Sequence, residues 1–202
     1  MAGKIIHKSP MKGRQVVNAR NLRKAFMIFT EGQTEEGYFK KFKARCKTIT
    51  GGNALSIVEE AIIQKNNIKK HVDEYWVAFD KDDTSKSDFL KAIKLAADNG
   101  LNVAYSCEAF VIWWLFHFME IAAPIQRKDY ENKLKKHLPE YKFREKGLSQ
   151  GELMWMQLDK LKEIGIVNAK KAHSKFEHPE NAFEQSVTTV YELVDLLISN
   201  LI

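Results

Sequence analysis

Cysteine is scarce: Cys46 and Cys107 are the only two in 202 residues. They leave no metal-knuckle spacing and allow at most one disulfide, as expected in a reducing compartment, and they read best as small packing residues. Long apolar runs are missing too. The longest, residues 109–119, is broken by His117 and falls short of the roughly 20 residues a membrane span needs. The amino terminus never builds the apolar block of about 7 to 15 residues that a secretory signal requires. Together these absences point to a cytoplasmic protein without a membrane association. There is no GxxxxGK[ST] phosphate loop, no internal repeat and no low-complexity tract, which argues against nucleotide hydrolysis by the phosphate-loop route. His71, His137, His173 and His178 have no mutual spacing that suggests zinc.

The length suits one domain, and 45% hydrophobic content can fill a single core. Lys and Arg number 32 against 26 Asp and Glu, a formal charge of +6, which favours a polyanionic partner where the charge clusters. It clusters first in residues 1–24, which hold seven Lys or Arg, among them Arg14, Arg20, Arg23 and Lys24, and no acid. This reads as a solvated basic arm preceding a single domain over residues 25–202. A second basic stretch holds Lys133, Lys135, Lys136, Lys142, Arg144 and Lys146, joined later by Lys170, Lys171 and Lys175. Such a run is either a solvated face or an electrostatic track for a nucleic-acid backbone, and phosphate contacts of that kind do not read sequence. Of these, Arg14, Arg20, Arg23, Lys24, Lys133, Lys136, Lys142 and Arg144 are the nucleic-acid-binding candidates.

Residues 25–30 (AFMIFT) form a buried-strand pattern stopped by turn chemistry at residues 31–34, with Thr34 placed to cap a helix over residues 35–47. Asn53 should cap a helix over residues 54–65. Glu74–Asp80 (EYWVAFD) is a second strand, Ser85 or Ser87 caps the next helix, Asn99-Gly100 ends it, and Asn102–Ser106 is a third strand. Strand, helix, strand at these lengths predicts parallel βαβ units, so residues 25–120 read as an α/β sheet covered on both faces. Residues 121–202 read as mostly helical. Helices are expected at residues 109–119, 128–137, 150–164, 169–176 and 186–202, divided by Pro124, Pro139, Gly165 and Pro179.

Ligands of open α/β sheets gather at the carboxyl ends of the strands. There the sequence puts Glu31 after the first strand, Asp80, Asp82 and Asp83 at the second, and Glu108 after the third. Acids at strand ends also cap helices or face water. Yet residues 1–47 carry 12 Lys or Arg against three acids, and basic surroundings with an acidic centre suit a phosphodiester site: cations hold the backbone, carboxylates hold a metal. Hard oxygen ligands suit Mg²⁺, with Mn²⁺ as a substitute. The aromatic residues Phe110, Trp113, Trp114 and Phe118 read as core rather than as a base-stacking platform. His117 among them reads as a core histidine, with a role beside the site as the alternative.

Residues 26–42 (FMIFTEGQTEEGYFKKF), 77–83 (VAFDKDD), 103–118 (VAYSCEAFVIWWLFHF) and 181–197 (NAFEQSVTTVYELVDLL) resemble the RloB-like family. That resemblance implies a Toprim-like fold with Mg²⁺ chemistry. It assigns Glu31 as general acid or base and Asp80 and Asp82 as the metal-binding DxD pair, with Glu35 as the second acid of an EGxTE pattern. It also implies a nuclease linked to restriction and phage-defence loci, often beside an ATPase gene, which makes an ATPase a candidate partner. The family's third segment usually reads SNPCFELW; here residues 106–113 read SCEAFVIW. Val111 stands where the glutamate is expected, and Glu108, three positions earlier, is either its substitute or a surface residue. Three readings follow: a Mg²⁺-dependent nuclease on RNA or DNA, a binding module for nucleic acid or an ATPase that has lost cleavage, and a phosphoryl-transfer or nucleotide-binding enzyme other than a nuclease. Oligomeric state is left open.

Overall fold

The computed structural model describes residues 23–138, 149–176 and 178–201. Arg14, Arg20, Lys142 and Arg144, and most of the expected arm, lie outside them. The strands β1 (Phe26–Thr30), β2 (Arg45–Thr48), β3 (Glu74–Asp80) and β4 (Asn102–Ser106) form one parallel sheet in the order β2-β1-β3-β4. Helices α1 (Gln33–Lys40), α2 (Ala54–Asn67) and α3 (Lys86–Asp98) make the connections. All five β1 residues are buried, which follows from a sheet covered on both faces and explains a strand with no polar alternation. The carboxyl-side half holds α4 (Val111–Phe116), α5 (Tyr130–His137), α6 (Gln150–Leu158), α7 (Lys162–His173), α8 (Pro179–Ala182) and α9 (Val190–Ser199). The expected class, a parallel sheet flanked by helices and followed by a helical half, is the one observed.

Several caps fall where the residue types put them. The Asn53 side chain accepts from the Ser56 N–H and the Ser85 hydroxyl from the Asp88 N–H, each satisfying a donor the first helical turn leaves free. Five details differ from expectation. Thr34 does not cap α1; Gly32 occupies that position without a side-chain bond. The helix expected over residues 35–47 stops at Lys40, because Lys43 adopts a left-handed φ of 61° and turns the chain back into β2. The helix expected at residues 109–119 is trimmed to α4. Gly165 does not divide two helices but lies inside α7, where a Cβ would come within 2.8 Å of the His117 ring. Residues 186–189 precede the helix rather than belong to it: Thr188 forms an isolated antiparallel bridge with Ser106, Cys107 N–H donates to the Val187 carbonyl and Thr189 N–H to the Tyr105 carbonyl, which covers part of the open edge of β4.

The helical half is fastened to the sheet through α1. Tyr38 and Phe39 pack edge-on against Phe110, and Trp113 Nε1 donates to Tyr38 Oη. Phe110, Trp113, Trp114 and Phe116 are all buried, so α4 is core and offers no stacking platform. Helix α6 begins with a capping box on Ser149 and Glu152 and lies directly on α1. A Cβ on Gly151 would overlap the Thr34 carbonyl oxygen and stand 2.6 Å from Tyr38 N. Both obstacles are backbone and cannot swing aside. Gly151→Ala should therefore cost about 2–3 kcal/mol, at the upper side of overpacking penalties. Urea unfolding checks this: an unchanged midpoint would mean that the two helices are not in contact in solution.

Candidate metal centre

Strand order reverses between β1 and β3: the chain leaves β1 for β2 on one side and crosses to β3 on the other. The crevice at such a switch point, beyond the carboxyl ends of the two strands, is where α/β sheets hold ligands. Glu31 follows β1 and Asp80 ends β3, so both acids stand at this crevice. Glu31 N–H donates to the Ala78 carbonyl, continuing the ladder, and Glu31 Oε2 accepts from Asp80 N–H at 2.9 Å. This contact ties two residues far apart in sequence.

Glu35, on the first turn of α1, is the third acid at this position. It is 9% exposed, and its Oε2 has no hydrogen-bond partner. Gly32 makes room for it, since a Cβ there would lie 2.5 Å from Oε2. Burial raises all three carboxyl pKa values. For Glu35 burial comes first and the Glu31 charge adds to it, against the pull of the Gly32 and Glu35 backbone N–H groups, and the value reaches about 7. For Asp80 burial is again largest, then the charges of Glu35 and Glu31, opposed by the Phe110 N–H and by Arg127. For Glu31 burial dominates, opposed by the Asp80 N–H and Arg127. Three acids that each resist ionising beside the others form a site short of positive charge.

Arg127, which sequence reasoning passed over, supplies part of that charge. It lies in a short 3-10 turn over Arg127–Asp129, leading into α5, and its guanidinium pairs with Asp82 while acting electrostatically on Glu31 and Asp80. Asp82 thus sits beside Arg127 and not within the Glu31–Glu35–Asp80 group. Its backbone is left-handed, with φ 38°, as is that of Glu108, with φ 76°, and the two loops are joined by an Asp82 N–H bond to the Glu108 carbonyl. Non-glycine residues with positive φ are uncommon and gather at functional sites. Lys81 turns the other way. It is 7% exposed and pairs with Glu108 at 2.9 Å over the Phe183 ring. The Glu108 carboxylate is therefore engaged by Lys81. Only the Lys wedged inside KDD hinted at this arrangement; Arg127, distant in sequence and in an irregular segment, carried no signal.

The remaining candidates fall elsewhere. Asp83 is exposed. His117 is buried between α4 and α7, its Nδ1 on the Trp113 carbonyl, and burial lowers its pKa to about 4; it is a neutral core group. Arg23 and Lys24 stand at the opposite edge of the sheet, before β1. Arg23 donates to the Leu201 carbonyl and Lys24 pairs with Glu74, so they fasten α9 and β3 rather than face the carboxylates. Lys133 and Lys136 lie on α5, which follows Arg127 directly, and Lys136 is exposed.

Among the described residues no group of three or more His, Cys, Asp or Glu is already arranged as a metal shell. The donor chemistry nevertheless fits a hard cation. Mg²⁺ typically takes one or two carboxylates and completes its shell with water and substrate phosphate, and Glu35 Oε2 is a buried oxygen without a hydrogen-bond donor. No helix in the described residues is long and apolar enough to cross a membrane. No curated protein and no solved structure matches the chain significantly. The family model described as RloB-like protein matches residues 26–197, most of the chain, which therefore belongs to the RloB-like family.

Proposed function

We propose that this protein is a Mg²⁺-dependent phosphodiesterase of the Toprim type, a nuclease acting on RNA or DNA in prokaryotic defence, with Mn²⁺ able to replace Mg²⁺. The observation that carries the reading is the trio Glu31, Glu35 and Asp80 at the switch-point crevice, each raised in pKa by burial and with one buried oxygen left without a partner. Asp80 and Glu31 would hold the ion, with Glu35 behind them. Asp82 would join once Arg127 releases it. A bound divalent ion supplies Lewis-acid polarisation of a phosphoryl oxygen and a water of lowered pKa. Glu31, on the rim and of raised pKa, is suited to hold or accept a proton at Oε1 while Oε2 stays on the Asp80 N–H. Arg127 and the lysines of α5 would take the phosphate backbone.

The purified protein, incubated with single-stranded and duplex RNA and DNA in Mg²⁺, in Mn²⁺ and in chelator, tests this directly. Metal-dependent cleavage products are expected, with no products in chelator. The second reading, a module that binds nucleic acid or an ATPase without cutting, is favoured by Arg127, whose charge already meets that of Asp82. Salt-sensitive binding without any metal-dependent product would select it.

A further inference from the structure

Beside the carboxylates, on the α5 side, lies a cavity of about 410 Å³ walled by Ala109, Val111, Arg127, Lys128, Tyr130 and Glu131. Its volume falls within the roughly 300–1,000 Å³ of small-molecule sites. The apolar side of the wall is mainly Val111, which is half-buried, backed by Ala109 and Tyr130, both almost wholly buried, with the Tyr130 hydroxyl donating to the Cys107 carbonyl. The other part is cationic. Lys128 is exposed and has no ion-pair partner among the described residues, and Glu131 in the same wall is paired with Lys135. Arg127, whose side chain is 56% exposed, links this cavity to the carboxylates and also borders a second one of about 320 Å³ that includes Glu108, Gln126 and Gln185. A cavity that joins a small apolar surface to two exposed cations, next to acids suited to a metal, has the chemistry to hold a nucleotide: a ring system on the apolar surface and a phosphate on the cations.

We infer that this cavity binds one unstacked nucleotide, its phosphate on Arg127 and Lys128 and its base and sugar over Val111 and the small exposed edges of Ala109 and Tyr130. The inference takes its macromolecular meaning from the phosphodiesterase reading, because the nucleotide would be the one flanking the bond to be cut. Binding itself needs no metal. A base held in a duplex cannot enter such a slot without being unpaired, so the protein selects single-stranded or flipped nucleotides. Arg127 would leave Asp82 for the phosphate as it binds, exchanging one anion for another.

Isothermal titration of the full chain in chelator tests this, with adenosine 5′-monophosphate, uridine 5′-monophosphate, adenosine and inorganic phosphate as probes. Both nucleotides should bind, with adenosine and inorganic phosphate each at least about tenfold weaker. Arg127→Ala and Lys128→Ala should each weaken nucleotide binding about tenfold, the scale of a charge-assisted bond. Val111→Trp, which fills the slot, should remove nucleotide binding and leave the weak affinity for phosphate. A single-stranded oligonucleotide should displace the bound nucleotide, and the same sequence as a blunt duplex should not. Absence of nucleotide binding, phosphate binding as tightly as nucleotide, unchanged affinity in Lys128→Ala, or equal displacement by duplex would each overturn the inference. Lys128 is exposed, so its variant stays informative even where Val111→Trp fails to fold. Binding in chelator without any cleavage in metal would leave this inference standing and remove the phosphodiesterase, so the two fail separately.

Discussion

Asp80→Asn is expected to reduce metal-dependent cleavage by roughly 10³-fold or more, since several kcal/mol of transition-state charge stabilisation travels with a bound ion. Asparagine keeps the shape of the side chain and can still accept from the Phe110 N–H, so the fold should survive. It removes a carboxyl whose pKa is raised first by burial and then by the charges of Glu35 and Glu31, so stability at neutral pH should rise as activity falls. That opposite movement is the signature of a functional carboxylate held at a structural cost. Asp82→Asn should cost less than Asp80→Asn, because Asp82 is held by Arg127 outside the buried group. Single-turnover cleavage and Mn²⁺ titration of both variants check the order. If Asp82 proves the more damaging site, the ion sits in the loop and not at the end of β3.

Glu35→Gln is expected to stabilise the protein at pH 8 and to flatten its dependence of stability on pH. The sign follows from the raised pKa. Below about pH 4.5 Glu35 is protonated in both folded and unfolded chains, and its contribution is fully present. Between there and about pH 7 the unfolded chain gives up the proton while the folded chain keeps it, so stability falls as pH rises and then levels off. A shift from 4.5 to about 7 corresponds to about 3 kcal/mol at 1.36 kcal/mol for each unit. Glutamine carries no such penalty. Urea unfolding at pH 4.5 and pH 8 reads the effect: the two proteins should differ at pH 8 and converge in acid. Added Mg²⁺ should recover part of the wild-type loss at pH 8 and do little for the variant. A variant less stable than wild type at pH 8 would show that Glu35 is ionised and paired in solution, contrary to its unpartnered oxygen.

The long apolar strands, the asparagine and serine caps and the placement of Glu31 and Asp80 at strand ends were legible in the sequence because each depends on neighbours within a few residues. The short strand β2 was not. Arg45–Thr48 has no strand pattern, and it forms because β1 offers it an edge once Lys43 has turned the chain. Gly165 looked like a helix break for the opposite reason: glycine is poor in a helix, and only packing against His117 accounts for it there.

What the sequence by itself determined is the alternation of β1, β3 and β4 with helices and which acids end those strands, since local periodicity and residue type decide these, while the family was legible through the resemblance of its motifs. Tertiary structure alone decided which acids share a site. It grouped Glu35 with Glu31 and Asp80, set Asp82 against Arg127 and Glu108 against Lys81, and carried Arg23 and Lys24 to the far edge of the sheet. The reason is physical. Electrostatic interaction depends on distance through space and on burial, and both are products of strand order and helix packing that no spacing along the chain encodes.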